Sequence, residues 1–585
     1  MGSNDFTPRL LPYALDQEAL SNPERLFCVH SVSLKSLRSG WRRVTVGGLA
    51  HAVNNFAWWL EETVSSSATP ERLVYIGPND IRYAIAVLAC MKLGHCLLIL
   101  SPNTAPSVID HLLTSGNCSK LLFARELMDQ AQGISKSNKN LQTWEVSDLW
   151  EMFKGPTKPF PYSDEYTLAR EQQPAVVLYS SGTTGAPKEI VMPHGYFSAL
   201  DYFNRISLPL GRKPTTPGFN HPNDPLLVKT NMYHATGILA WVAALFHHTH
   251  FVIGPDAPLT AATLKAIVSE TGAKSGLFLP DMLTRLSAST DGIESLGGLE
   301  SISFVGMPLP SSVGDKVARV TRLQTCIGLT EEGYFHTIQP RDCKDWEYVE
   351  WNCHHPIQMR DHPSGHSELV IPRPPGRYTH ALFFVLPDQQ EFYTGDLYTQ
   401  HPENKGLWKH VGRTDDVSKL QNRVFLHPTP IERALQEHEL VSRAVMTPDP
   451  ALRVMLIIDP NWTMVRELSP KEIIDRLWPL VERLNGGLPE EARMARTRIV
   501  IAPVDKPFRT TAKGTVQRRY VLDDFAEEIE ADLHNPIPPL SKHKWPRPDA
   551  SLLQGSPSST IWVVSLVLFL VYAYGGEVLW RYSAG

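Results

Sequence analysis

The chain has 585 residues, 42% of them apolar and 20% charged, a balance that supports large buried cores and more than one domain. A formal charge of -5 offers no concentrated basic surface, which excludes a nucleic-acid partner. The seven cysteines are scattered and form no Cys-x-x-Cys pair, so they read as reduced thiols of an intracellular protein. Cys353-His354-His355 lacks a second ligand pair at suitable spacing, so it reads as structural or incidental and not as a metal centre.

Met1 to Asn22 has no basic start followed by an apolar run, so no secretory signal is read there. From Arg72 to Leu100 the chain alternates an apolar segment (LVYIG), a helix-like stretch (IRYAIAVLACMKLG) and a second apolar segment (HCLLIL). That order marks a strand, helix, strand crossover of an α/β fold. Further strand candidates are Ala175 to Tyr179, Leu226 to Thr230, Phe251 to Ile253 and Ser275 to Leu279, each beside a helical stretch, which predicts a layered α/β body.

After Gly412-Arg413-Thr414-Asp415-Asp416 the texture changes to a smaller unit. Its predicted elements are a helix over Pro430 to His438, strands over Ala444 to Met446 and Arg453 to Ile458, and a helix over Pro470 to Leu484. Residues 533–560 are rich in proline and serine and read as a linker. From Ile561 to Tyr574 no charge occurs, and Lys542, Lys544 and Arg547 lie upstream. Residues 561–582 are therefore expected to be a single-pass C-terminal anchor, holding the body at the cytosolic face of a membrane.

The stretch most informative about chemistry is Tyr179-Ser180-Ser181-Gly182-Thr183-Thr184-Gly185-Ala186-Pro187-Lys188, which follows a strand candidate. Small hydroxyl residues and glycines let backbone N–H groups approach a polyanion, the hydroxyls add donors and Lys188 adds a cation. The usual P-loop spacing is not matched, because Lys188 is followed by Glu189.

This loop resembles the phosphate loop of the adenylate-forming superfamily, and five further stretches follow in that family's order. Gly306-Met307-Pro308 resembles the turn beside adenine, and Ile327-Gly328-Leu329-Thr330-Glu331 its Tyr-Gly-x-Thr-Glu. Tyr393-Thr394-Gly395-Asp396-Leu397 resembles the ribose-binding segment, Gly412 to Asp416 the hinge, and Arg509 to Gly514 the C-terminal lysine loop. The run from Asp416 to Glu432 is similar to the adenylation domains of fungal peptide-synthetase-like carboxylate reductases.

The resemblance implies a large layered N-terminal adenylation subdomain over 1–414 and a small mobile α+β lid over 415–532, and the uncharged run adds the expected C-terminal hydrophobic helix. It also implies ATP-dependent conversion of an aryl, fatty or polyketide-type acid into acyl-AMP, in fungal secondary metabolism. CoA or the phosphopantetheine of a separate carrier protein is the implied acceptor. A membrane-tethered non-catalytic relative, or the adenylation part of a split reductase with carrier and reductase as partners, are the alternatives.

Roles follow from charge. Asp396 accepts bonds from ribose hydroxyls and Arg413 meets ribose or phosphate. Glu331, with Thr184, is the magnesium ligand expected beside substrate phosphates, and Lys513 is the point cation for charge developing at the α-phosphate. His234 stands where relatives place a histidine beside the substrate carboxylate, and Asp415 is the hinge. Ile327 departs from the family's aromatic, a loss of stacking on the order of 1 kcal/mol.

Overall fold

The computed structural model describes residues 6–64, 69–181, 187–215, 224–420, 425–448, 454–510 and 514–533. The apolar run of Arg72–Ile76 explains the central architecture. Leu73 and Tyr75 pack into one core and Val74 and Ile76 into another, so both faces of the strand are covered. Its sheet has six strands in the order Gln142–Val146, Lys120–Ala124, Arg72–Ile76, Cys96–Leu100, Pro174–Ser181, Pro187–Pro193. Only the last pair is antiparallel.

A second sheet runs Arg322–Cys326, Ser301–Val305, Ser275–Phe278, Leu226–Val228, Phe251–Ile253, Leu26–Ser31, Trp41–Thr45. It is parallel except for its terminal pair. One core cluster joins residues of both sheets through the helices Val46–Trp59, Arg82–Leu93, His194–Tyr202 and Ala235–Phe246. Ten residues of Ala235–Phe246 are buried, as expected of a helix that is apolar all round and packed between layers.

A third, antiparallel sheet orders Thr337–Ile338, Tyr348–Trp351, Leu407–Arg413, Glu391–Gln400, Ser367–Pro372 and Gln358–Asp361. The α/β reading did not include it. Its longest strand, Glu391–Gln400, buries only Thr394, Leu397 and Tyr398, and the sheet carries bulges at Leu397/Tyr398 and Glu368/Val370, so no continuous apolar run announces that strand.

The C-terminal elements form a separate core around the sheet Val441–Pro448, Val454–Pro460, Ile499–Ile501 and the helices Pro428–Gln436 and Pro470–Asn485. Ser469 and Glu472 form a capping box at the start of the longer helix, which satisfies its first orphan amides. Arg518 ties this unit to the chain that enters it. Its guanidinium donates to Asp416 Oδ1 at 3.1 Å, Glu432 Oε2 at 2.8 Å and the Met446 carbonyl at 2.9 Å.

The membrane assignment is corrected. Among the described residues no helix is long and apolar enough to cross a membrane, and the longest, Pro470–Asn485, carries charge along one face. The linker at 533–560 (beyond Leu533) and the expected anchor at 561–582 lie outside the described residues.

Candidate active site

The site is built where four stretches distant in sequence meet. The strands Pro174–Ser181 and Pro187–Pro193 pair antiparallel, with Ser180 opposite Lys188 and Ser181 opposite Pro187. They flank Gly182, Thr183, Thr184 and Gly185, which lie outside the described residues, as does Lys513. Lys188 is exposed, and its Nζ stands 3.9 Å from Glu331 Oε1.

Glu331 owes its position to a tight hairpin. Gly328–Leu329 pairs with Gly333–Tyr334, and the Glu332 amide donates to the Leu329 carbonyl at 3.2 Å. Tyr196 Oη donates to the Thr330 carbonyl at 3.2 Å and pins the turn from below. The two adjacent glutamates consequently part company: Glu331 faces Lys188, whereas Glu332 enters the core.

A cleft with an empty volume of about 580 Å³, counting space open to solvent, is lined by Thr230, Asn231, His234, Leu239, Gly306, Gly328, Thr330 and Tyr334 among others. His234 is the residue that precedes the helix Ala235–Phe246, and its backbone amide and carbonyl take part in the first turn. The structure thus gathers His234, Gly306, Gly328 and Thr330 on one cleft. Met307 is adjacent, and a Cβ at Gly514 would lie 3.6 Å from Met307 Cε, so the flank of the lysine loop reaches the same rim. Ile327 is half-buried against the core around Phe335, and its carbonyl accepts from the Phe335 amide at 3.0 Å.

Asp396 and Arg413 are partners across the strand pair Glu391–Gln400 and Leu407–Arg413. Arg413 Nη1 donates to Asp396 Oδ1 at 2.7 Å and Nη2 to the Thr394 carbonyl at 3.2 Å, while Asp415 Oδ2 lies 3.7 Å from Nη2. The buried Arg413 Nε has no hydrogen-bond partner among the described residues. Gly395 is required between them: its φ is +75°, and a Cβ there would stand 2.9 Å from Arg413 Nη2.

Behind the hairpin lies a buried cluster that motif reading missed. Glu332 Oε1 accepts from His380 Nδ1 at 2.6 Å, and Oε2 accepts from the Leu382 amide at 2.9 Å. His380 Nε2 faces the Pro356 carbonyl at 2.8 Å, so both ring nitrogens stand against oxygen atoms. Burial alone would raise the Glu332 carboxyl, but His380 and His355 beside it hold its pKa at about 2. Burial pushes His355 down to about 4.

Glu332, His355 and His380 have the composition of a metal site, with ligand atoms within 4.8 Å of one another. The hydrogen bonds assign them otherwise. His355 Nδ1 accepts from the His336 amide at 3.4 Å, so Nε2 carries the proton directed at the Thr379 carbonyl at 3.1 Å and has no lone pair for an ion. Cys353 and His354 are exposed and stand outside this cluster. Nothing in the local sequence could have joined positions 332, 355 and 380, which only the third sheet and its loops bring together.

Comparison with known proteins places the fold and its family. Residues 15–353 match the AMP-binding enzyme family and residues 415–534 the AMP-binding enzyme C-terminal domain; the chain belongs to the AMP-binding enzymes. It is 26% identical over 540 residues to a carboxylic acid reductase of Neurospora crassa, covering 89% of this chain and 50% of that one. It is 25% identical over 479 residues to the adenylate-forming reductase Nps10 of Heterobasidion annosum, covering 77% and 42%. The chain therefore spans half or less of the length of these relatives. The crystal structure of the anthranilate CoA ligase AuaEII in complex with anthranoyl-AMP superposes with a TM-score of 0.69 at 15% identity, over 91% of this chain and 100% of that one.

Proposed function

We propose that this chain activates a carboxylic acid with ATP and passes the acyl group to a thiol. In the first step a carboxylate oxygen attacks the α-phosphorus, the bond to the β-bridging oxygen breaks, and pyrophosphate leaves. In the second, a thiolate adds to the acyl carbon and AMP departs.

The observation that carries the reading is the approach of Lys188 Nζ to within 3.9 Å of Glu331 Oε1, beside a cleft whose rim also holds Met307 and, next to it, Gly514. This supports a site in which Ser180 to Lys188 hold the triphosphate and Lys513 supplies a cation at the reacting phosphate. Asp396 and Arg413 hold the ribose end, and the partnerless Arg413 Nε is suited to a ligand oxygen. His234 faces the acid in the cleft. The carboxylate of Glu331 makes no hydrogen bond among the described residues, which suits a hard cation. Glu331 and Thr184 would hold magnesium, which when bound supplies positive charge to the triphosphate.

Rotation of residues 415–532 about Asp415 would let one cleft serve both steps. Two of the relatives are named as reductases and are about twice as long as the region they share with this chain, which favours a carrier-bound thiol over CoA as acceptor.

The experiment is ATP–pyrophosphate exchange with a panel of acids, in the wild type and in Lys513→Ala. Acid-dependent exchange that falls at least about 100-fold in the variant supports the assignment, in keeping with removal of one electrostatic group from a transition state. Undiminished exchange in Lys513→Ala refutes the role of that lysine. Mass detection of acyl-CoA or acylated carrier decides the acceptor.

A further inference from the structure

The hairpin that presents Glu331 pairs only two residues on each strand, Gly328–Leu329 with Gly333–Tyr334, too few to hold a geometry unaided. Its turn is fixed from outside, at the residue on each side of Glu331. On one side the Thr330 carbonyl accepts from Tyr196 Oη at 3.2 Å, and Tyr196 is buried in the helix His194–Tyr202. On the other the Glu332 carboxylate accepts from His380 Nδ1 at 2.6 Å and from the Leu382 amide at 2.9 Å. Both of these donors are firmly anchored. His380 and Leu382 are 0% exposed, and the short helix Leu382–Val385 sends Leu382 and Phe383 into the core around Phe335 and Phe384 into the main core.

Glu332 is the costly element of this arrangement. A carboxylate taken out of water costs stability that an apolar side chain would not, and what it returns is direction, because its oxygens accept only from donors placed to meet them. Here those bonds reach 48 and 50 residues along the chain and fix the neighbour of Glu331. Among the described residues no hydrogen bond reaches the Glu331 carboxylate itself, so its direction is set by the backbone that carries it.

We propose that Glu332 and Tyr196 are positioning residues that hold the Glu331 carboxylate toward the metal-bound nucleotide, with His380 and the Leu382 amide as fixed points. The inference rests on the adenylation reading and deepens it. Groups behind a metal ligand change metal affinity or activity by about 10–100-fold without touching the ion.

The test reads metal dependence in Tyr196→Phe and Glu332→Gln, which act on opposite flanks of the turn and nearly keep side-chain volume. Glu331→Gln gives the full loss, and Thr260→Ala, which removes the cap of the helix Ala261–Thr271 in another core, gives the effect of destabilisation alone. In pyrophosphate exchange the free Mg²⁺ that gives half the maximal rate should rise about tenfold in both positioning variants, with the KM for the acid unmoved. Thr260→Ala should keep the wild-type value. Independently of turnover, calorimetry gives the ratio of ATP dissociation constants in EDTA and in saturating Mg²⁺. The metal should tighten ATP binding in the wild type, and both positioning variants should bring that ratio toward one, as Glu331→Gln does. Neither quantity depends on the fraction of folded protein. Unchanged metal dependence in either variant overturns the role of that residue, even where its rate or melting temperature falls. A shift shared by Thr260→Ala, a rise confined to the KM for the acid, or a ratio that Glu331→Gln leaves intact overturns the proposal as a whole. Absence of exchange with every acid overturns the adenylation reading, and the ATP ratio then decides the positioning role by itself; exchange with wild-type Mg²⁺ dependence in both variants overturns this inference alone.

Discussion

Arg413 lies directly opposite Asp396 in the antiparallel ladder and donates to its Oδ1 across 2.7 Å. The pair is half-buried at the mouth of the third sheet, and the bulge after Leu397 turns the ladder immediately beyond it. A carboxylate held by one guanidinium nitrogen keeps its second oxygen for another donor.

If that donor is a ribose hydroxyl, Asp396→Asn removes a charge-assisted bond worth about 2 kcal/mol. The KM for ATP should then rise roughly 30-fold. The KM for the acid should move far less. Pyrophosphate exchange titrated separately in ATP and in acid reads the two, and an equal rise in both would reassign Asp396 to a purely structural bond.

Glu332 is a buried carboxylate that accepts hydrogen bonds from His380 Nδ1 and the Leu382 amide. Removing it leaves two buried donors without an acceptor, a loss of about 1–3 kcal/mol for each. Glu332→Ala should therefore lower the apparent melting temperature markedly, and Glu332→Gln, which retains an acceptor for the Leu382 amide, should lower it less. Because His355 has no free lone pair, prolonged EDTA treatment should leave the melting temperature unchanged. A drop on chelation, restored by zinc, would show that the cluster is a metal centre after all.

The contrast between what could and could not be read from sequence follows from contiguity. The two parallel-rich sheets were legible because strands covered on both faces, such as Cys96–Leu100, are unbroken apolar runs. The stretches around Lys188, Glu331 and Asp396 were legible because each chemical group lies within a few residues of its neighbours in the motif. The third sheet was not, since Glu391–Gln400 buries only Thr394, Leu397 and Tyr398 and bulges. Nor was the Glu332, His355 and His380 cluster, which meets only through packing.

Several histidines are held neutral by burial, and this sets an acid limit on stability. His194 and His247 are lowered to about 3, and His336, His355 and His366 to about 4, in each case first by desolvation. In the unfolded chain these rings titrate near the ordinary value of about 6.5. Between that pH and about 4 the unfolded chain binds protons that the native state refuses, so stability is full above about 6.5 and falls as the pH drops. Each group contributes up to about 1.4 kcal/mol per pH unit in that window. Below the usual glutamate range Glu332, held at about 2, adds to the loss in the same direction. Urea midpoints at pH 7.5, 6, 5 and 4.5 should decline steadily, and a flat profile would contradict the neutral assignments.

Gly237 offers a way to perturb the acid side of the cleft without touching a polar group. It sits in the first turn of Ala235–Phe246, and a Cβ there would lie 2.2 Å from the Asn231 carbonyl oxygen and 2.6 Å from Met232 Cα. Both neighbours are backbone, so the strain cannot be relieved by a rotamer change and must displace the segment from Asn231 to His234. Overpacking of this kind costs about 1–3 kcal/mol. Asn231 and His234 line the cleft, so the displacement should appear chiefly as a higher KM for the acid in Gly237→Ala, by about tenfold, with a smaller change in the KM for ATP. If the ATP term moves instead, this segment borders the nucleotide and not the acid, and the placing of the acid in this cleft falls.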